Sequence, residues 1–157
     1  MKTTLSTVSN SRIFVDTNIL YYGNDLNSVN GKQAITHLRE LQFLKNRLYI
    51  SSQILREYTN LTMRNAAYNK LDLKIQSKIV QQNVVQFQNR FNVIYENADV
   101  LSQWLKLLPQ LTTHKDIFDF YVAATLSVYN IPYILTHNES DFTKFSDFIT
   151  VIPLFPK

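Results

Sequence analysis

An α/β fold with a mostly parallel sheet is what this sequence predicts, and three observations carry the prediction. Short apolar β-type runs recur along the chain, with long segments of helical periodicity between them. Two glycines and four prolines are too few for a loop-rich or all-β protein. The length, 157 residues, is that of one domain with its own core, and no Pro/Gly/Ser-rich linker, repeat or low-complexity tract divides it. The reading is a single domain over 1–157, with residues 1–11 as a flexible polar tail.

The elements follow in order. After the opening MKTTLSTVSNS, the run IFV (13–15) is the first strand. KQAITHLRELQFLKN (32–46) sets Ile35, Leu38, Leu41 and Leu44 three apart, the stripe of an amphipathic helix. LYI (48–50) is a second strand. SQILREYTNLTMRNAAYN (52–69) and DLKIQSKIVQQNVVQFQNR (72–90) read as helices, and NVIY (92–95) as a third strand. ADVLSQWLKLL (98–108) is a helix stopped by Pro109. KDIFDFYVAATLSVYN (115–130) is a further helix ending before Pro132. YIL (133–135) and FITVI (148–152) complete five strands. Trp104 is assigned to the core.

In parallel sheets, sites form beyond the carboxyl ends of the strands, where strand order reverses. Four acids occupy such places. Asp16 directly follows the first strand. Glu57 lies about one turn into the helix after the second. Asp119 lies in the first turns of DIFDFYVAAT, and Asp141 follows the fourth strand. Each has a bland alternative. Asp16 and Asp141 could cap helical turns, and Glu57 could serve a helix dipole. Asp119, among Phe118, Phe120 and Tyr121, needs a partner or a cation if it is buried. Asp116, three residues earlier, reads as the helix cap. Hard oxygen donors with no cysteine and no suitably spaced histidine pair point to Mg²⁺ or Mn²⁺.

The segments IFVDTNIL, ISSQILREY, DFYVAATL and YILTHNESDF, in that order, resemble the acidic motifs of the PIN-domain family, and within it the VapC-type toxin ribonucleases of toxin–antitoxin systems. The resemblance spans about residues 12–152. It implies a three-layer sandwich around a parallel five-stranded sheet of order 3-2-1-4-5, which sets Asp16 near Asp141. It implies that Asp16, Glu57, Asp119 and Asp141 are catalytic, with Asp16, Asp119 and Asp141 as metal ligands. Thr17, Asn18, Thr136 and Asn138 become their polar companions. Asn138 stands where some relatives carry another acid, so the cluster is leaner here. The implied activity is Mg²⁺- or Mn²⁺-dependent endoribonucleolytic cleavage. The implied partners are an RNA substrate, a protein antitoxin from a separate chain, and a second copy in a homodimer.

Composition narrows the rivals. With no cysteine, disulfides, thiolate metal sites and cysteine nucleophiles are excluded. No apolar run approaches a membrane span and no leader-type stretch is visible, so a cytoplasmic protein is expected. The net charge of +4 is scattered, which suits a soluble surface and a polyanion partner equally. The alternative from another class is a non-catalytic nucleic-acid-binding or assembly module of the same fold. A DNA-directed flap nuclease ranks last, because the helical arches of that class do not fit a chain of this length.

Overall fold

The structure is a computed structural model that describes residues 7–65, 70 and 72–156. Its order is β1 (Arg12–Val15), α1 (Thr17–Tyr22), α2 (Val29–Phe43), β2 (Arg47–Ser51), α3 (Ser52–Arg64), α4 (Leu73–Arg90), β3 (Asn92–Ile94), α5 (Ala98–Leu107), α6 (Ile117–Val128), β4 (Tyr133–Thr136), α7 (Glu139–Phe142) and β5 (Thr150–Pro153). All neighbouring strands pair in parallel, in the order β3-β2-β1-β4-β5. The predicted sheet, strand count and order are therefore present. Helices α1 to α4 pack among themselves, and α5 packs on α6, giving two helical layers around the sheet.

β1 is central. Ile13, Phe14 and Val15 are fully buried, as expected of a parallel strand covered on both faces. Two strands pass into helices without a loop. Asp16 ends β1 and caps α1, and Ser51 ends β2 and caps α3, its hydroxyl accepting from Ile54 N–H at 3.3 Å. Both β1 and β2 thus deliver the first turn of a helix to the carboxyl edge of the sheet.

Several expectations shift. Two short helices, α1 and α7, add to the expected elements where the sequence allows no more than a capped helical turn after Asp16 and near Asp141. The buried stripe of α2 is Ala34, His37, Leu38 and Leu41, while Ile35 and Leu44 are only half-buried. α3 ends at Arg64, and residues 66–69 of its expected extension lie outside the described residues. Of the expected tail, residues 1–6 lie outside them too. The remainder is docked: Val8 is buried, its carbonyl accepts from Asn46 Nδ2 at 2.8 Å, and Ser11 N–H donates to Asn46 Oδ1 at 2.9 Å. Among the described residues, no helix is long and apolar enough to cross a membrane.

Candidate functional site

β1 and β4 are adjacent at the switch point, so the residues after them face one another. Asp16 is the centre of the resulting network. Its Oδ1 accepts from Thr17 N–H at 2.7 Å. Its Oδ2 accepts from Asn18 Nδ2 at 2.7 Å and from Thr136 Oγ1 at 2.6 Å. Asn18 spans the two strand ends, because its Oδ1 also accepts from His137 N–H at 3.0 Å. The fully buried Thr136 hydroxyl in turn accepts from Asn138 N–H at 3.0 Å. Asp16 therefore both caps its helix and anchors a polar cluster across β1 and β4.

Glu57 joins from the other side. Its Oε2 accepts from Thr17 Oγ1 at 2.8 Å, and its Oε1 accepts from Gln53 Nε2 at 2.5 Å. Thr17 thus links Asp16 and Glu57 through its backbone and its hydroxyl. Asp119, in the first turn of α6, is half-buried and makes no hydrogen bond or ion pair among the described residues. Asp141 lies within α7, where Ser140 Oγ is 3.4 Å from its Oδ1.

The electrostatics report how close these acids are. Burial pushes the Asp119 carboxyl up to about 7, and the charges of Asp141 and Asp16 push in the same direction. Burial likewise raises Asp16 to about 6, against the pull of the hydrogen bonds from Thr136, Thr17 and Asn18, with Glu57 adding repulsion. Carboxylates set this close raise one another when no cation lies between them.

Among the described residues, no three acidic or histidine side chains are drawn tightly enough together to cage a metal ion. The donor chemistry still fits a hard cation. Mg²⁺ keeps several of its waters and needs only one or two carboxylates besides the substrate phosphates. Asp119, half-buried with no hydrogen-bond or ion-pair partner among the described residues and repelled by Asp141, Asp16 and Asp116, is the carboxylate most in need of such a charge.

The expected companions behave differently from one another. Thr17, Asn18 and Thr136 are bonded to the acids, whereas Asn138 enters only through its backbone and its side chain is exposed. Asp116 precedes α6 as expected, but its side chain caps nothing. It pairs instead with Lys144 Nζ at 2.6 Å, and that bond holds its carboxyl below the usual range. His137, which follows β4, packs against aromatic rings. Its ring sits edge-on to Tyr22 and Phe155, with centroids 5.4 and 5.9 Å away. Trp104 is half-buried at the edge of the core, against Tyr121.

Three further residues escaped sequence reasoning. Gln53 holds Glu57 and also reaches the Phe118 carbonyl at 3.3 Å. Glu96, just beyond β3, accepts from Ser52 Oγ and from Gln53 N–H, the latter at 2.8 Å. Burial opposes its charge, but these bonds at the start of α3 outweigh burial and keep it below its ordinary value. Lys144 lies 5.3 Å from the centre of the Phe120 ring and draws Asp119 back down. Only Gln53 carried a sequence signal, its four-residue offset from Glu57 on one helix.

A parallel sheet of order 3-2-1-4-5 with acids gathered where β1 and β4 part defines an α/β protein of the PIN type. The PIN domain model matches residues 13–147, and the chain belongs to that family. Among curated proteins, no sequence matches. Among solved structures, the chain is similar to FitAcB from Neisseria gonorrhoeae, at 16% identity and a TM-score of 0.67, covering 90% of this chain and 97% of that one. It is similar to VapBC-1 from nontypeable Haemophilus influenzae, at 19% identity and a TM-score of 0.63, covering 91% and 98%. It also resembles Mycobacterium tuberculosis VapC20, a Sarcin-Ricin loop cleaving toxin, at 14% identity and a TM-score of 0.56, covering 78% and 86%.

Proposed function

We propose that this PIN-domain chain is a Mg²⁺- or Mn²⁺-dependent endoribonuclease and the toxin of a VapBC-type toxin–antitoxin pair. One observation carries the reading: Asp119, a half-buried carboxylate without a partner, lies within electrostatic reach of Asp16 and Asp141 at the switch point of the sheet. Asp16, Asp119 and Asp141 would hold the cation, directly or through water. When bound, the ion supplies Lewis-acid stabilisation of the scissile phosphate and activation of water. Thr17, Asn18 and Thr136 orient Asp16 through its three hydrogen bonds. Glu57, restrained by Thr17 and Gln53, would hold the ion as a further ligand or help position the attacking water. Water as the nucleophile leaves a 5′-phosphate and a 3′-hydroxyl.

Structural neighbours that are toxin–antitoxin complexes support an antitoxin as the protein partner. Such a partner could silence the site by placing an Arg or Lys among the four carboxylates. The exposed apolar side chains on several helices support a homodimer.

The reading is tested with purified protein and RNA. Cleavage should require Mg²⁺ or Mn²⁺, stop in excess EDTA, and fall at least about 100-fold in Asp16→Asn and Asp119→Asn with the fold intact. Asp116→Asn, which weakens a surface ion pair with Lys144 and leaves the other acids in place, should stay within a few-fold of wild type. Undiminished cleavage in EDTA overturns the metal-dependent reading. Absence of any cleavage with either ion favours the non-catalytic module.

A further inference from the structure

A second feature borders the acids. Helices α3, α5 and α6 enclose an open cavity of about 390 Å³. One wall is aromatic, built from Trp104 and Tyr121, edge-to-face with centroids 5.4 Å apart, and from Phe118, which is 63% exposed. The opposite wall is one face of α3, with Arg56 and Glu57 four and three residues before Asn60. Glu57 belongs to both places. Its carboxylate is bonded to Thr17 beside Asp16, and it also lines the cavity. Whatever fills the cavity therefore lies one side chain away from the acid cluster.

We propose that this cavity is a nucleobase subsite, which takes the base of an RNA nucleotide next to the phosphate held at the acids. The inference rests on the ribonuclease reading and assigns how its substrate is held. Three aromatic side chains line the cavity, and stacking of a base on aromatic rings tolerates any of the four bases. Asn60 has an amide without a hydrogen-bond partner among the described residues, and it can pair with a base edge. Arg56 donates to Ser52 Oγ at 3.2 Å and ion-pairs with no carboxylate among the described residues, so its charge is open to a neighbouring phosphate. A purely apolar partner surface is the poorer occupant, because it would bury Arg56, Glu57 and Asn60 against groups that cannot pair with them.

Trp104 is the single tryptophan of the chain, so its emission reports the cavity directly. The probes are a fluorescein-labelled single-stranded RNA of about ten nucleotides and an abasic ribose-phosphate oligomer of the same length, both in EDTA so that neither is cut. Wild type should bind the base-bearing probe about 10-fold more tightly than the abasic one, and only the former should quench Trp104. Phe118→Ala should erase that preference, and Phe118→Tyr, which keeps the ring, should restore it. Equal affinity for the two probes, binding of neither, or a Trp104 emission indifferent to both overturns the subsite. So does a Phe118→Ala variant that halves the mass in light scattering yet keeps the preference, which would make this face an interface between copies. Cleavage of RNA with Mg²⁺ by a protein that shows no preference leaves the ribonuclease reading standing. Base-dependent quenching without any cleavage removes that reading and keeps the subsite.

Discussion

Gln53 shows how much of the site depends on a neutral side chain. It is 5% exposed, its amide holds Glu57 and touches the Phe118 carbonyl, and its own N–H is held by Glu96. Glu57 thus stands at the end of a chain of bonds that ties α3 to α6 and to the end of β3. Gln53→Met keeps the volume and removes the amide donor. Turnover of RNA should fall about 10- to 100-fold, the usual loss when a support of a site carboxylate is removed. Thermal melting should move little in comparison, and a variant with wild-type turnover and an unchanged pH profile would deny Gln53 its positioning role.

Among the elements, the contact of α2 with the turn after α1 is the least forgiving. Ser28 caps α2 by accepting from Gly31 N–H at 2.9 Å, and this brings Gly31 down onto the turn. A Cβ at Gly31 would lie 1.8 Å from the Asp25 carbonyl oxygen and 2.6 Å from that of Tyr22. Both are backbone atoms, so no side chain can yield. Gly31→Ala should therefore cost about 1–3 kcal/mol, read as a lower denaturant midpoint at unchanged slope. The same turn follows the helix that carries Thr17 and Asn18, so the variant's activity should fall along with its stability.

At the scale of the whole molecule, a net charge of +4 coexists with acids that repel one another at one edge of the sheet. The sign of the resulting pH dependence follows. Asp119 titrates at about 7 and Asp16 at about 6 in the folded chain, above the ordinary 3.8. Between about 4 and 7 the folded state holds protons that the unfolded state has released, so stability falls as pH rises through that window. Metal-free protein should melt at a higher temperature at pH 5 than at pH 8, by scanning calorimetry, and Asp119→Asn should flatten the difference. Adding Mg²⁺ at pH 8 should recover part of it, because a cation offsets the repulsion of the ionised acids. A melting temperature that rises from pH 5 to pH 8 without metal would show that these carboxylates are not strained against each other.

The sequence by itself determined the five strands, their parallel pairing and the helices between them, because buried parallel strands read as unbroken apolar runs and long helices repeat their period often enough to be recognised. It also determined which acids stand beyond strand ends, since that is a matter of position along the chain. α1 and α7, with six and four residues, are too short for a period to show. The buried face of α2 runs through Gly31, Ala34, His37, Leu38 and Leu41, and it includes a glycine and a histidine that an apolar stripe does not mark. Only the tertiary structure decided that Asp116 pairs with Lys144, that Glu96 reaches Ser52 and Gln53, and that Asp119 is left without a hydrogen-bond partner while Asp141, Asp16 and Asp116 repel it. These are contacts between residues far apart in the chain. Their energies depend on burial and on distances of a few ångströms, and those exist only once the sheet has brought its strand ends together.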